Sequence, residues 1–532
     1  STMRAATVVV LLATLALGFQ LHKAGLATGF VDPVGRVRAQ DEAVYAHSAI
    51  RMARSGHWLT PSFMGRHALY KPPLLFWLAG LSVRLFGVSP LSLRLPSLLA
   101  AALAATLLFL WLRSSTSLFA AVAASILLIS SPLFHRVSRM CLTDALLALF
   151  LIAGLSVLHR DPRLTRQSSL WLFATFSAAA ILTKGVAGLL PLLILSLFAL
   201  LNRRAEHPCW RHLLHAWLLA GALAAPWHLY QVLIHPRWFW AEYAVGEIFT
   251  FGLASPYQTS AEFHPLFYLH RLFLTDPFLC VLVLTAVPAF ISAWRRRHSH
   301  LPRLLLSWAA VVSAAMLLFQ YRNASYLSLL LPALALIAVA YGPLLSGRRA
   351  ALSAGAFGLL FFARTAFPDR PWGLDFRAGT TVEAAPLLDA YARMHRPSEL
   401  ILVSPDDEFY SAVLPLPRVR YCLIDPRDYV PAHGIDFRHL GINVTIAQFL
   451  ELDRWRPIFH QRLRAWNLDS DEPLATVIVA GSPVELATLL AASPQTDFFL
   501  PTSLRSTVAE TAESTHRLLP VSASHFFLLA RP

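Results

Sequence analysis

The chain has 532 residues, of which 56% are hydrophobic and 14% are charged, and its mean hydropathy is +0.54. Soluble domains carry about 25% charged residues, so this composition excludes an ordinary soluble enzyme and indicates an integral membrane protein. The net charge of +15 does not indicate nucleic-acid binding, because the basic residues gather in short breaks between apolar runs. The 4 cysteines are scattered, which argues against a disulfide framework or a thiolate metal site.

Apolar runs predict about eleven transmembrane helices, since one span needs about 20 mostly apolar residues. The predicted spans are 4–21, 91–112, 117–134, 143–158, 168–184, 186–201, 212–233, 271–293, 302–320, 325–345 and 350–366. The run 74–87 is too short to cross and is interpreted as a juxtamembrane helix near the outer surface. Basic breaks between the other runs place the N-terminus inside, and an odd number of spans then places the tail outside.

Two domains are predicted. Residues 1–367 form the transmembrane bundle, with outer loops at 22–90 and 234–270, and residues 368–532 form a small domain on the outer side. The tail alternates β-like and helical runs, which predicts an α/β fold. The β-like runs are 400–404, 421–424, 476–480 and 525–530, and the helical stretches are 383–395, 445–453 and 483–492.

The first outer loop carries an acid pair and a lysine. Asp41 and Glu42 begin a predicted helix, where acids also serve simply as partners of the helix dipole. Lys71 precedes Pro72 and Pro73, so its backbone is restricted to an extended form just before a helix can begin. An ammonium held in this direction suits an anion, although a lysine here can also reach lipid headgroups.

Further polar residues stand at other outer boundaries of the predicted spans. Lys184 lies inside an apolar pattern, where an ionisable residue is by default a functional hypothesis. Arg139, Asp144 and Arg322 stand at helix ends, where a dipole partner or a headgroup contact is the simpler reading. Aromatic residues are numerous and most belong to an interfacial belt. The candidates for substrate contact are Glu42, Tyr45, Tyr70, Glu247, His264, Tyr268 and Tyr326.

The topology gathers these charges on one side of the membrane. Two acids, Asp41 and Asp144, then face four cations, which are Lys71, Arg139, Lys184 and Arg322. A transferase with a phosphate leaving group needs this combination. Cations hold the phosphate and stabilise the charge that it gains, while a carboxylate takes the proton of the attacking hydroxyl.

Six motifs occur in order from residue 41 to about residue 336: DEAVYAHSAIRMARSGHWLTP, YKPPLLFWLAG, LTDALLALF, LTKG, HPLFYL and NASYLSLLLPALAL. As a set they resemble the GT-C membrane glycosyltransferases, in the bacterial branch related to protein O-mannosyltransferases and to the lipid A aminoarabinose transferase. The resemblance implies a polyprenyl-phosphate sugar donor and transfer with inversion to a hydroxyl on the periplasmic side of the bacterial inner membrane. By motif position, Asp41 matches the catalytic acid, Asp144 a second acidic position, and Lys71 the donor-phosphate lysine.

The chain departs from the aminoarabinose branch at the residues that support a metal. Tyr70 stands where that branch has a glutamate ligand, and Ile248 rather than histidine follows Glu247. Arg322 keeps the charge of a lysine that relatives often have. No cofactor is therefore assigned. A divalent cation stays an open option, and we expect most activity to survive excess EDTA.

The expected function is an inverting glycosyltransferase that acts on a glycolipid or an envelope polysaccharide. A protein O-mannosyltransferase is the alternative within the enzyme class. A transporter or flippase for a lipid-linked substrate is the alternative from another class, and it predicts inverted repeats and helices broken at the midplane. The sequence has no internal repeat, and its polar residues concentrate at one face, which favours the enzyme.

Overall fold

The computed structural model describes a helical region followed by a mixed sheet, and of Asp41 it describes the backbone alone. The described residues are 8, 12–13, 15–20, 40–63, 66–69, 71–114, 116–202, 210–236, 239–240, 243–244, 247, 264, 266–296, 300–319, 322–342, 359–374, 391, 393–394, 396, 399–403, 419–424, 477–480, 483–512, 514–520 and 525–531.

The helical region contains helices α1 to α13 and one short hairpin. The helices are α1 Gln40–Ser55, α2 Leu74–Phe86, α3 Pro90–Arg113, α4 Leu118–Ile129, α5 Pro132–Ser138, α6 Asp144–Arg160, α7 Gln167–Lys184, α8 Leu190–Leu201, α9 Trp210–Ile234, α10 Phe267–Thr275, α11 Pro277–Arg295, α12 Leu301–Leu318 and α13 Leu331–Tyr341. The hairpin pairs β1 Ser62–Phe63 with β2 Arg66–His67. Short 3-10 segments precede α8, over Gly185–Leu189, and α13, over Ala324–Leu329.

Within the described ranges, 6 helical segments are long and apolar enough to cross a membrane, or 7 if the bent pair α4 and α5 counts as one. The six are Pro90–Arg113, Gln167–Leu201, Trp210–Ile234, Pro277–Arg295, Leu301–Leu318 and Ala324–Tyr341. A multi-pass membrane protein is thus confirmed. The total of about eleven spans stays a prediction, because the structure describes the runs 4–21 and 350–366 only in part.

Serine and proline residues mark the starts of α3, α4 and α5. Ser89 and Ser92 form a reciprocal capping box at the start of α3, and Ser117 caps α4. Between α4 and α5 the axis bends by 67°, and α5 restarts with Pro132 in its first turn. The predicted single span 117–134 is therefore two helices.

A buried ion pair holds this bend. The Arg364 guanidinium donates to the backbone carbonyl of Ser130 and lies 2.5 Å from an Asp276 carboxylate oxygen. Ser131 donates its hydroxyl to the other Asp276 oxygen at 2.6 Å. Because Asp276 also directly precedes α11, this one carboxylate joins three segments that are far apart in sequence.

The helix α7 ends where the sequence predicted a break, at Lys184. Gly185 has a φ of +55°, a left-handed value that favours glycine. The chain then folds back on α7, since a β-carbon at Gly188 would lie 2.2 Å from the carbonyl oxygen of Ala180. The break therefore leaves Lys184 at a helix end that is enclosed by neighbouring segments.

The main hydrophobic core is formed by buried side chains of the helices from α3 to α13. Trp111 of α3 stacks on Trp308 of α12 with ring centroids 6.4 Å apart, and both are buried. The short helix α2 covers α1, and Gly80 permits this close approach because a β-carbon there would lie 3.1 Å from the Ala49 carbonyl oxygen. The 13-residue α2 confirms the helix predicted over 74–87.

The C-terminal part contains a 6-stranded mixed sheet in the order β5-β4-β3-β6-β8-β7. Its elements are β3 Leu400–Val403, β4 Val419–Ile424, β5 Val477–Ala480, α14 Pro483–Ala491, β6 Asp497–Pro501, α15 Arg505–Ala512, β7 His516–Pro520 and β8 His525–Ala530. The strands β3 to β6 are parallel to one another, and β8 is antiparallel to both β6 and β7. The four predicted strands and the helix at 483–492 are present, whereas 445–453 and most of 383–395 lie outside the described residues.

Candidate functional site

Glu42 anchors the start of α1 inside the bundle. Its carboxylate accepts two hydrogen bonds from the Arg94 guanidinium, at 2.7 and 2.9 Å, and one from the Cys141 backbone N–H at 2.8 Å. The residue is only 1% exposed. The contacts fix α1 against α3 and against the segment that leads into α6. They also fix the backbone of Asp41, the second residue of α1, whose side chain lies outside the described residues.

Asp144 and Lys184 form an ion pair between the first residue of α6 and the last residue of α7. The Lys184 ammonium donates to an Asp144 carboxylate oxygen at 2.8 Å and lies 4.8 Å from the ring centre of Tyr326. Asp144 is also the first residue of α6, where the helix dipole favours its negative charge. Two residues predicted separately as an acid and a phosphate ligand are therefore one unit.

Lys71 and Glu247 form the second ion pair, between the two outer loops. Pro73 directly precedes α2, as the sequence predicted, which places Lys71 just before a helix start. Leu69 packs against Trp227 of α9 and against Phe239. Phe239 in turn stacks on Tyr243 with ring centroids 4.9 Å apart. This apolar contact brings the segment that carries Glu247 to the side of Lys71.

The first outer loop is also tied to α9 by hydrogen bonds. The carbonyl oxygen of Leu59 accepts from the Trp227 indole N–H at 2.7 Å and from the Gln231 amide at 2.7 Å. The Trp77 indole N–H donates to the Trp58 carbonyl at 2.6 Å. Lys71 therefore sits on a loop that is held on both sides.

Tyr243 connects the two ion pairs. Its hydroxyl lies 3.0 Å from Nε2 of His228, and it leaves no room for a side chain at Gly185, where a β-carbon would lie 2.5 Å from that hydroxyl. Tyr243 thus contacts the backbone that directly follows Lys184, and Glu247, four residues after Tyr243, contacts Lys71. Burial, followed by the charge of Glu247, raises the pKa of Tyr243, so its hydroxyl stays neutral at physiological pH.

Arg322, His264 and Tyr268 form a third group. The Arg322 guanidinium donates to the backbone carbonyl of His264 at 2.6 Å. The Tyr268 hydroxyl accepts the backbone N–H of Asn323 at 3.3 Å. Burial raises the pKa of Tyr268 to about 12, against the lowering effects of that hydrogen bond and of Arg322, so it stays a neutral hydroxyl. Tyr326, four residues after Arg322 in the chain, has its ring under the Lys184 ammonium.

Three further residues that the sequence predicted for the site are Arg139, Tyr45 and Tyr70. Arg139 ends α5, and its guanidinium lies 3.1 Å from Nε2 of His135. Tyr45 is buried with its ring edge against Phe76, at a centroid distance of 5.7 Å. Tyr70 lies outside the described residues. Substrate contact by these residues stays a prediction.

Among the residues that the structure describes, no three His, Cys, Asp or Glu side chains gather to hold a metal ion. Glu247, the carboxylate that the structure describes in the predicted second loop, contacts Lys71. The described donor set therefore offers a single carboxylate there, and divalent ions need several oxygen or nitrogen ligands. No catalytic step is assigned to a metal.

Sequence reasoning missed Arg94, Asp276 and Arg364. Each stands in or beside an apolar run, where an ionisable residue is by default a functional hypothesis, as it was for Lys184. His228 and Tyr243 were missed because the contact between them depends on how the loop after α9 packs.

Three comparisons place the chain among known proteins. The family described as dolichyl-phosphate-mannose-protein mannosyltransferase matches residues 70–230. An uncharacterized protein of Aquifex aeolicus is 31% identical over 206 residues, which are 37% of this chain and 40% of that protein. An undecaprenyl phosphate-alpha-4-amino-4-deoxy-L-arabinose arabinosyl transferase of Pectobacterium carotovorum is 29% identical over 326 residues, 58% of this chain and 55% of that one. The matches thus span about half the length of these relatives.

A solved structure extends the likeness to the whole fold. ArnT of Cupriavidus metallidurans, in a crystal structure bound to undecaprenyl phosphate, superposes with a TM-score of 0.68 at 16% sequence identity. The superposition covers 99% of each chain, and at this identity it shows the fold alone. Together with the sequence matches it confirms the resemblance that the motifs predicted. The chain has the fold of ArnT, is similar over part of its length to the bacterial aminoarabinose transferases, and matches the dolichyl-phosphate-mannose-protein mannosyltransferase family over residues 70–230.

Proposed function

We propose that the chain is an inverting glycosyltransferase that moves a sugar from a polyprenyl-phosphate donor to an acceptor hydroxyl. The observation that carries the proposal is the pair of lysines, Lys71 and Lys184, each held against a carboxylate and connected through Tyr243 and Gly185. A matched fold that holds undecaprenyl phosphate in ArnT supports the same class of donor.

The lysines have the chemistry that a lipid phosphate requires. Both ammonium groups are partly shielded from water, so their charges act more strongly than on an open surface. Phosphate becomes the leaving group, and fixed cations stabilise the charge that it gains. We assign Lys71 and Lys184 to this role, with Arg139 and Arg322 at its border.

We assign different roles to the two acids, Asp41 and Asp144. Asp41 is the second residue of α1, and Glu42 fixes that helix end through Arg94, so Asp41 is our choice for the base that takes the acceptor proton. Asp144 is oriented by Lys184 and is assigned to hold a sugar or acceptor hydroxyl. In the reaction the acceptor oxygen bonds to the anomeric carbon, the bond to the phosphate oxygen breaks, and the hydroxyl proton passes to the carboxylate.

We infer that the acceptor is a glycolipid or an envelope polysaccharide, and that the site faces the periplasm from the inner membrane. The basic breaks between spans support this orientation. The match of residues 70–230 to a protein mannosyltransferase family supports a protein acceptor as the second candidate. We also propose that the chain divides near residue 367, with the sheet of residues 400–530 on the same side as the site.

Mass spectrometry of cells with and without the chain tests the proposal. Glycolipids, envelope polysaccharides and envelope proteins are compared for a modification of the mass of one sugar. A modification that disappears without the chain, and also with Asp41→Asn, identifies the acceptor and supports transfer. An unchanged envelope, together with transport of the lipid-linked sugar across the membrane, would instead support the flippase alternative.

A further inference from the structure

Lys71 already has an anionic partner of its own. Its ammonium contacts the Glu247 carboxylate, and the two side chains are 12% and 21% exposed. Water therefore reaches the edge of this pair, which makes exchange of one anion for another less costly than in a sealed interior. A phosphate bound at Lys71 would stand close to Glu247, and two anions at this separation repel each other.

We propose that Glu247 competes with the lipid phosphate for Lys71 and thereby promotes release of polyprenyl phosphate after transfer. The inference rests on the proposed function, because it takes Lys71 to be the phosphate ligand. Glu247 is in this account a positioning residue for product release and takes no part in the chemical step.

The neighbours of Glu247 allow its carboxylate to move without the loop moving. Tyr243, one helical turn earlier, is held by His228, by its stacking on Phe239 and by its fit against Gly185. These contacts do not involve Lys71. In this proposal the Glu247 side chain rotates away from Lys71 when phosphate arrives and returns when it departs.

The reaction changes the charge of the bound lipid phosphate, and this change explains why a competing carboxylate would help turnover. The donor is a phosphodiester with a single negative charge. The leaving group is a phosphomonoester, which carries about −1.5 to −2 at pH 7. Cations alone would thus hold the product more tightly than the donor and slow turnover. A nearby carboxylate weakens the binding of both, and it weakens the product more because repulsion grows with the charge of the ligand.

The second pair is less suited to exchange. Asp144 is 6% exposed, against 21% for Glu247, and Lys184 also lies over Tyr326. Its contacts keep Lys184 in place whichever anion is present. Competition is therefore expected at Lys71.

Binding of polyprenyl phosphate to the purified full chain tests the inference. Glu247→Gln should bind it about tenfold more tightly than the parent, because a neutral amide no longer competes for the ammonium. Its turnover should fall while the KM for donor also falls, and inhibition by added polyprenyl phosphate should grow. Glu510→Gln changes the net charge equally on the exposed surface of α15, so it should leave binding unchanged.

Three further outcomes decide the question. Equal or weaker binding by Glu247→Gln, with normal binding by the parent, would overturn the inference and leave the proposed function intact. Absence of binding by the parent would remove the proposed function itself. In a Lys71→Ala background the Glu247→Gln effect should vanish, and its persistence would contradict competition. If Glu247→Gln does not fold, Glu247→Asp replaces it, since the shorter side chain retracts the charge and should tighten binding partly.

Discussion

The ion pairs among the described residues of the helical region fall into two kinds. Glu42–Arg94 and Asp276–Arg364 are sealed, with every side chain at most 5% exposed, and each carboxylate accepts additional hydrogen bonds from a backbone N–H or a serine. Lys71–Glu247 and Lys184–Asp144 have side chains up to 21% and 12% exposed, and each uses a lysine.

The difference separates scaffold from site. A guanidinium presents a rigid fork that two carboxylate oxygens or neighbouring carbonyls can satisfy at once, so an arginine pair suits fixed architecture. An ammonium is a point charge that accepts a new anion without a fixed geometry. The arginine pairs therefore hold helices together, while the lysine pairs stand ready to meet a ligand.

The largest effect is expected from breaking a sealed pair. Arg364→Met leaves Asp276 as a buried carboxylate without its guanidinium, which should lower the free energy of unfolding by about 3–5 kcal/mol. Unfolding in detergent measures the change. The double variant Asp276→Asn, Arg364→Met should recover part of it, because no charge then stays buried. A single variant as stable as the parent would contradict the scaffold role.

A smaller loss of stability and a clear loss of activity are expected at Asp144. Asp144→Asn keeps the size of the side chain but removes the charge that Lys184 orients. Turnover should fall about 100-fold, equivalent to roughly 2.7 kcal/mol of barrier. Steady-state assays at saturating donor measure it, with unfolding as the parallel control. Turnover within about threefold of the parent would show that the Asp144–Lys184 pair only holds helices together.

The effect on donor affinity should come next. Lys71→Ala should weaken binding of polyprenyl phosphate by about 2 kcal/mol, close to thirtyfold, since the phosphate loses a charged hydrogen-bond donor. Lys71→Arg should recover only part, because a planar fork replaces a point charge. Titration of the detergent-solubilised variants measures both. If Lys71→Ala binds like the parent, the lysine contacts bulk lipid instead.

The buried imidazole of His47 gives the smallest expected effect. Burial, followed by the charges of Arg51 and Arg54, lowers the pKa of His47 in α1 to about 3. The unfolded chain binds this proton near pH 6.5 and the folded chain does not, so stability falls as the pH falls from about 6.5 toward 3. At pH 5.5 the loss is about 1.4 kcal/mol. His47→Gln should remove that loss, and an unchanged pH profile would show that the imidazole is accessible.

Local features of the fold could be predicted because they depend on neighbouring residues. Pro73 marks the start of α2, Gly185 marks the end of α7, and alternating runs mark β3, β4, β5 and β8. The bend between α4 and α5 was missed because Ser130 and Ser131 look like ordinary residues of an apolar run. Strands β6 and β7 were missed because each begins with a polar residue and ends in proline, which leaves an apolar run too short to stand out.

The composition of the site could be predicted better than its pairing. Lys71, Asp144, Lys184 and Glu247 were all singled out, yet nothing local indicates which acid meets which lysine. Glu247 is 176 residues from Lys71, and Asp144 is 40 from Lys184. Those partners follow from the packing of α9, α6 and α7. The sequence predicted that Glu42 contacts substrate. In the structure its carboxylate accepts hydrogen bonds from Arg94 and from the Cys141 backbone, and the substrate contact stays a prediction.

One measurement tests the distinction between scaffold and site most directly. Polyprenyl phosphate is titrated into equal amounts of folded parent, Lys71→Ala and Arg364→Met protein, with the folded fraction determined beforehand by unfolding. The account predicts that folded Arg364→Met binds like the parent, although it is less stable, and that Lys71→Ala is fully folded and binds at least about tenfold more weakly. Parent-like affinity in Lys71→Ala would contradict the account.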